Sequence, residues 1–197
     1  WNRLTALDLS KNTALTELNC YMNGLTTLDL SKNIALRELV CYQNYRLTNL
    51  NVSNNTILTT LNCGQTALTS LDVSKNTALT NLWCYNSQLT SIDVSKNTLL
   101  TDFACSSNKL TSLDVSKNTL LTVLNCYHNQ ITSLDVSKNV LLTHLVCSEN
   151  QLTSLDLTKN TALKLLSNYG NYINVCYRTH VQDFGWQETV KDGASSG

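Results

Sequence analysis

The sequence predicts a β-rich solenoid with little or no α-helix, because a 21-residue unit recurs through most of the chain. Each unit begins with Leu or Ile, and the units start at residues 4, 25, 47, 68, 89, 110, 131 and 152, with one 22-residue step at Tyr45-Arg46. A fixed period of this size is typical of solenoids and propellers. Each unit divides into two similar halves, LxxLDVSKNxx and LTxLxCxxNx. Their apolar spacing predicts two short extended segments per coil, each paired in parallel with its copy in the next coil.

The core follows from the same spacing when each unit is numbered from its first Leu or Ile. Positions 1, 4, 6, 12 and 15 are apolar in almost every unit, and position 17 is Cys in seven. These side chains are predicted to point inward. One unit alone buries too little apolar surface to offset the entropy of ordering 21 residues, so stability must come from contacts between neighbouring coils.

Asparagine supplies the predicted turns. Asn fills position 9 in all eight units and position 20 in six, while the chain contains no proline. Side-chain amides can hydrogen-bond to nearby backbone groups and stabilise turns. We therefore expect the two Asn columns to satisfy backbone groups where each coil bends.

The charge balance excludes several classes of protein. Fourteen basic residues match fourteen acidic ones, which argues against a nucleic-acid binder. No apolar stretch approaches the ~18 residues of a membrane span. Seven units carry Asp at position 5 and Lys at position 8, and the third unit has Asn51 and Asn54 instead. These cancelling columns predict a structural face that serves solubility and register.

The cysteines occupy one column rather than a disulfide framework. Cys20 is the first of seven at position 17, and Cys176 lies outside the column. Side chains at position 17 of adjacent coils point the same way, which is poor geometry for a disulfide. We expect buried thiols that behave as small apolar groups. No two cysteines lie closer than 21 residues, so we predict no metal site.

The variable residues of the second half predict a recognition face. Positions 14, 16 and 18 differ from unit to unit, although scaffold requirements alone would make them uniform. Exposed Tyr and Trp are typical of recognition sites. The candidate partner-binding residues are Tyr21, Tyr42, Trp83, Tyr85, Asp102, Tyr127 and His144. Alternatively, the tyrosines of position 18 stack on one another only to stabilise the fold.

One trio resembles a catalytic arrangement by residue type. Ser107, His128 and Glu149 share position 19 of three successive units, and a nucleophile, a base and an orienting acid are the parts of a hydrolase triad. An exposed column offers no evident oxyanion hole. We therefore predict a protein that is not an enzyme and needs no cofactor.

The motif LxxLxCxxNxLxxLDVSKNxx resembles the leucine-rich repeat family, in particular its short bacterial class, over residues 4–172. The resemblance implies a right-handed solenoid with a parallel sheet on one face, and a role in binding macromolecules. The residues after 172 resemble the first half of the clostridial hydrophobic (ChW) repeat, through Tyr177, Thr179, His180, Val181, Gln182, Gly185, Trp186, Gln187, Val190, Asp192 and Gly193. That repeat implies a secreted or cell-surface protein.

These observations predict a solenoid over residues 1–172 and a ChW-like segment or cap over 173–197. Trp1-Asn2-Arg3 fit the last three positions of a preceding unit, so we expect a fragment of a longer protein. The predicted function is a secreted or cell-surface module that binds a protein partner, from the host or the bacterial surface, through the variable face. The alternatives are a glycan- or cell-wall-binding module and a structural stalk.

Overall fold

The computed structural model describes residues 3–177, which form a stack of coils with a short strand in each. Its strands are β1 Glu17–Asn19, β2 Glu38–Val40, β3 Thr60–Asn62, β4 Asn81–Trp83, β5 Asp102–Ala104, β6 Val123–Asn125, β7 His144–Val146, β8 Ser154–Asp156, β9 Leu165–Ser167 and β10 Val175–Tyr177. Residues 3–177 contain no helix, and hence none that is long and apolar enough to cross a membrane. The predicted β-solenoid is confirmed.

One parallel sheet runs the length of the stack. It has eight strands in the order β1-β2-β3-β4-β5-β6-β7-β9. Equivalent residues pair directly, as Leu82 of β4 does with Phe103 of β5 and Phe103 does with Leu124 of β6. Because the register equals the sequence repeat, each position of the unit forms a straight column across the sheet.

The two halves of the coil differ in their pairing. The second half, around position 15, forms a strand in every coil, whereas the first half is paired as a strand only in β8, which binds β10. In the other coils, single backbone bonds such as Gln88 N–H to Leu68 O link this half to its neighbour. Side chains satisfy much of the remaining backbone there, so the first half needs no continuous strand ladder.

The core lies between the two halves. The position-15 side chains Leu39, Leu61, Leu82, Phe103, Leu124 and Leu145 are fully buried, and so are six of the seven position-17 cysteines. Cys20, in the first coil, retains 6 % exposure. The inward direction predicted for positions 15 and 17 therefore holds along the whole sheet.

Both asparagine columns act as predicted. At position 9, Asn118 donates through Nδ2 to the carbonyls of Val94 (3.0 Å) and Asn97 (2.9 Å) in the preceding coil. At position 20, the Nδ2 of Asn129 donates to the carbonyl of Cys126 at 3.1 Å, while its Oδ1 accepts the N–H of Leu110 at 3.0 Å. Position 9 thus links neighbouring coils, and position 20 also closes its own coil.

The aspartate column also makes a turn, a role that the sequence did not indicate. Each position-5 carboxylate accepts the backbone N–H of the residue two places on, as Asp114 does from Ser116 at 2.8 Å. Asn51 makes the same bond to Ser53 at 3.0 Å, so a neutral amide can replace the acid. Within residues 3–177 no Asp–Lys pair lies within ion-pair distance, and the contact at that distance joins His128 and Glu149. The column therefore makes a turn, and its part in solubility and register stays a prediction.

The last strand continues the solenoid by half a coil. In β10, Val175 and Cys176 pair with Ser154 and Leu155 of β8, which lie 21 residues earlier. The domain boundary at 172/173 remains a prediction. The ChW-like residues Thr179 to Gly193, like Trp1 and Asn2, lie outside the described residues.

Candidate functional site

The candidate site is the outer side of the eight-stranded sheet. Along each strand, positions 14, 16 and 18 alternate with the inward positions 15 and 17. We call the surface made by positions 14, 16 and 18 the variable face. Backbone bonds extend beyond the strands, as from Cys84 N–H to Ala104 O at 2.9 Å and from Ser107 N–H to Tyr127 O at 2.8 Å. Position 18 is therefore held almost as firmly as the strand itself.

A left-handed residue ends this extended segment in all eight coils. Position 19 has a φ between 49° and 64° throughout, at Met22, Gln43, Gln65, Asn86, Ser107, His128, Glu149 and Gly170. Seven of the eight carry a side chain, although glycine adopts this conformation at the lowest cost. The column at position 19 thus borders the variable face with polar side chains in six of the eight coils.

Tyr21 and Tyr42 stack on each other at one end of the face. Their ring centroids are 4.7 Å apart and their planes differ by 4°. The expected structural alternative, stacking along the column, therefore describes this pair. Each ring covers one face of the other, which leaves edges and hydroxyl groups for any partner.

Tyr85 packs over a glycine rather than another tyrosine. A Cβ added at Gly64 would lie 2.7 Å from the Tyr85 ring, so the ring occupies the space that a position-18 side chain would fill. Desolvation raises the pKa of Tyr85, which also lies near Tyr42 and Tyr45 and bonds to Asn62. Tyr45 is in the one-residue insertion of the second unit, and 63 % of its surface is exposed.

Trp83 and Asp102 lie together in the middle of the face. The indole N–H of Trp83 donates to Oδ1 of Asp102 at 3.0 Å, from β4 to β5. This bond fixes the plane of a half-buried aromatic ring and uses one carboxylate oxygen. His144 is separate, since its Nδ1 lies 2.9 Å from the Thr143 hydroxyl on its own coil.

Tyr127 belongs to a cluster that crosses coils six to eight. Its ring centroid lies 6.5 Å from that of Tyr169, at 53°, and 5.7 Å from that of His128. A hydrogen bond to Glu149 raises the pKa of Tyr127 to about 12. Nδ1 of His128 and Oε2 of Glu149 are 2.8 Å apart. Of the Ser107, His128 and Glu149 trio, only the last two are therefore in contact. The hydrogen bonds of residues 3–177 include none between Ser107 and His128.

Comparison with solved structures decides the family. The functional domain of InlJ from Listeria monocytogenes, described as including a cysteine ladder, matches with 46 % identity and a TM-score of 0.85. The match covers 86 % of this chain and 38 % of that one. The chain is a bacterial leucine-rich repeat protein.

Two more distant matches show the same fold. A leucine-rich repeat protein of Leptospira interrogans is 24 % identical with a TM-score of 0.77, over 83 % of this chain and 45 % of that one. Internalin C2 from Listeria monocytogenes is 21 % identical with a TM-score of 0.71, over 84 % and 72 %. The chain thus spans less than half of the InlJ and Leptospira structures. The comparison with curated proteins gave no match.

The C-terminal prediction is also confirmed at the level of family. Residues 180–197 match the family described as Clostridial hydrophobic W, or ChW. A bacterial leucine-rich repeat is therefore followed by a ChW segment, as the sequence predicted.

The thiols in the cysteine column of this leucine-rich repeat have low reactivity. Cys20, Cys41, Cys63, Cys84, Cys105 and Cys126 are buried free thiols, and Cys147 continues the column. Burial raises the pKa of Cys20 to about 11 and that of Cys63 and Cys126 to about 12. A thiol kept protonated in this way is a poor nucleophile, which agrees with the apolar role predicted.

Sequence reasoning missed four residues of the leucine-rich repeat face. Tyr169 lies at position 18, and Tyr45 lies where one extra residue interrupts the 21-residue period, so both are detectable in the sequence. The sequence indicates His128 and Glu149 only as members of a possible catalytic triad. No pattern in the sequence showed that position 19 is left-handed, because glycine marks it in one coil alone. From this position the Glu149 carboxylate bonds to the Tyr127 hydroxyl of the preceding coil.

Proposed function

We propose that this leucine-rich repeat is a non-enzymatic module of a secreted or cell-surface bacterial protein, and that it binds a protein partner through the variable face. The observation that carries the proposal is the Trp83–Asp102 pair, an aromatic ring fixed by a hydrogen bond on a rigid strand. Fixed aromatic rings lose little entropy when they become buried, and they dominate the free energy of many interfaces.

The contrast between the two surfaces of the coil supports the same conclusion. Where side chains make turns, as Asp does at position 5, the column is uniform. On the variable face the residue type changes from coil to coil, although the backbone bonds there are the same in each. Residues that do not determine the fold are available to determine recognition.

Tyr21, Tyr42 and Tyr85 contribute to this face in a more limited way. Tyr21 and Tyr42 cover each other, and Tyr85 covers Gly64, so part of each ring already stabilises the repeat. We place the centre of the interface at Trp83 and Asp102, with Tyr127 toward the C-terminal coils and His144 at its border.

The experiment requires a partner and a matched control. The 197-residue chain, immobilised as bait, is used to isolate a partner from host-surface or cell-wall extract, and that partner is then titrated against Trp83→Ala and Tyr127→Ala variants. We expect each substitution to weaken binding by at least about tenfold. Lys75→Ala and Lys96→Ala, in the uniform lysine column, should bind like the parent.

Unchanged affinity in the Trp83→Ala variant, with circular dichroism preserved, would remove the variable face as the binding surface. A signal on a glycan array that disappears in the same variant would favour a glycan- or cell-wall-binding module instead. Absence of any protein or glycan ligand would favour a structural stalk.

A further inference from the structure

The two tyrosines at the C-terminal end of the variable face lean toward each other. Tyr127 and Tyr169 lie two coils apart in position 18, and the intervening residue is the fully buried Ser148. Their rings meet at 53° with centroids 6.5 Å apart, whereas Tyr21 and Tyr42 stack at 4.7 Å and 4°. The rings lean toward each other over the small serine of the middle coil, and the Tyr127 hydroxyl also bonds to Tyr169. We call this pair the tyrosine wedge.

A carboxylate stands beside the tyrosine wedge. Glu149 follows Ser148 in the chain, accepts the hydrogen bond that raises the pKa of Tyr127, and lies 2.8 Å from the His128 ring nitrogen. Its side chain is 38 % exposed, so the carboxylate is fixed in place yet open to solvent. The Glu149 carboxylate supplies the negative charge of the cluster.

The next coil is shaped around this glutamate. A Cβ at Gly170 would lie 3.0 Å from Cγ and 3.3 Å from Cα of Glu149. Position 19 carries a side chain in the seven preceding coils and is glycine only at 170. The glycine thus leaves the space that Glu149 occupies against the wedge.

The left-handed backbone at His128 and Glu149 is shared with the other coils and so belongs to the fold. What distinguishes coils six to eight is the combination of two inclined aromatic rings, a partly exposed carboxylate that bonds to one of them, and a glycine that makes room for this carboxylate. A cation is attracted by the face of a tyrosine ring within about 6 Å and by a carboxylate. A neutral ligand would gain nothing from the negative charge of Glu149.

We propose that Tyr127, Glu149 and Tyr169 bind the cationic side chain of an arginine or lysine on a protein partner. The guanidinium or ammonium group would lie against the solvent-facing side of the tyrosine wedge, next to Glu149. His128 is a positioning residue that holds the carboxylate from the other side. The assignment rests on the proposed function only in taking the ligand from a protein, because the site itself can be tested with small peptides.

The test is a titration of the 197-residue chain with acetyl-Gly-Arg-Gly-amide, followed through the amide NMR signals of Ser148, Glu149 and Gly170. A peptide with citrulline in place of arginine has nearly the same shape without the charge. We expect the arginine peptide, and a lysine analogue, to bind about 3- to 10-fold more tightly than the citrulline peptide. Equal affinities would overturn the proposal.

Variants locate the site. Glu149→Gln keeps the size and a hydrogen-bond acceptor but removes the charge, and it should weaken arginine-peptide binding about threefold or more. Asp72→Asn, in the uniform aspartate column where Asn51 makes the same turn bond, should leave arginine-peptide binding unchanged. Binding that survives Glu149→Gln contradicts the assignment.

Two further outcomes separate this proposal from the broader one. If chitotriose shifts the same three amides and the arginine peptide does not, the wedge binds sugar and the cation assignment is wrong. If Trp83→Ala abolishes partner binding but no arginine peptide binds, the protein-binding function stands and this site alone fails.

Discussion

The aspartate at position 5 makes the same turn bond in seven coils, and that bond couples its charge to the fold. The N–H and the hydroxyl of Ser116 lower the pKa of Asp114, and the corresponding groups lower the pKa of Asp8, Asp29, Asp72, Asp93, Asp135 and Asp156. A carboxyl whose pKa is lower in the folded state stabilises that state above its unfolded value of 3.8, and the gain is lost as the pH falls below it.

We therefore expect the free energy of unfolding to fall as the pH decreases below about 4. Urea denaturation at a series of pH values measures this free energy of unfolding. Since all seven aspartates contribute with the same sign, the decline should be steeper than for one carboxyl.

The control is already suggested by Asn51, which makes the same bond without a charge. Asp114→Asn should keep stability at pH 7 close to the parent and reduce the pH dependence, whereas Asp114→Ala should lower stability at pH 7. A flat pH profile in the parent would contradict this role of the column.

At the scale of the element, the left-handed residue at position 19 determines where each strand ends. It turns the chain directly after the outward position 18, while its N–H still bonds to the next coil. A side chain here costs about 1–2 kcal/mol relative to the right-handed backbone. The strand and this turn act as one unit, which the three-residue strands alone do not reveal.

Replacing Gln65 with glycine is expected to stabilise the protein by about 0.5–1 kcal/mol, because Gln65 has a φ of 53°. Thermal or urea unfolding measures the change. Gln88→Gly is the matched control, since position 21 is not among the left-handed residues, and there glycine should destabilise through its greater freedom in the unfolded chain. The same sign for both variants would show that backbone strain at position 19 is unimportant.

The strands were predictable, and the contacts on their outer side were not. Period and alternation place Leu82, Phe103 and Cys84 inward, since these properties depend only on the unit itself. Whether a tyrosine stacks, covers a glycine or leans over a serine depends on residues one and two coils away, as Gly64 and Ser148 show. The tyrosines of position 18 therefore adopt three different packing arrangements.

At the scale of the whole molecule, the coils are stable only together, and the buried thiols can report on this. Cys63, Cys84, Cys105 and Cys126 have no exposed surface, whereas Cys20 lies 6 % exposed in the first coil. In a cooperative stack, a central thiol reacts only after several interfaces open, while the terminal coil can fray alone.

We expect a neutral alkylating reagent to modify Cys20 first and the four central thiols much more slowly, with similar rates for all of them after unfolding in guanidinium. Peptide mapping by mass spectrometry gives the rate at each site. Central thiols that react as fast as Cys20 in the native protein would show that the coils open independently.

Much of the whole molecule was predictable because the repeat is so regular. Solenoid, sheet direction, core column and asparagine turns all follow from comparing units within one chain. The turn bond of the aspartates was not predictable, since a sequence shows that Asp and Lys change together but not that Asp bonds to the backbone two residues on. In the third unit, Asn51 and Asn54 replace the Asp and Lys of the other units. Because Asn can make the same turn, Asn51 was the one indication of this role in the sequence.

The inserted residue at Tyr45-Arg46 shows what the 21-residue register allows. Both residues are exposed, while the neighbouring Asn44 and Leu47 remain fully buried and bond to each other through the backbone at 2.9 Å. The inserted residue thus protrudes into solvent at this corner, and the packing on either side is undisturbed. Gene duplication in steps of one unit would lengthen the protein by identical interfaces, and short insertions at the corner would add new loops. Length and surface can evolve separately in such a molecule.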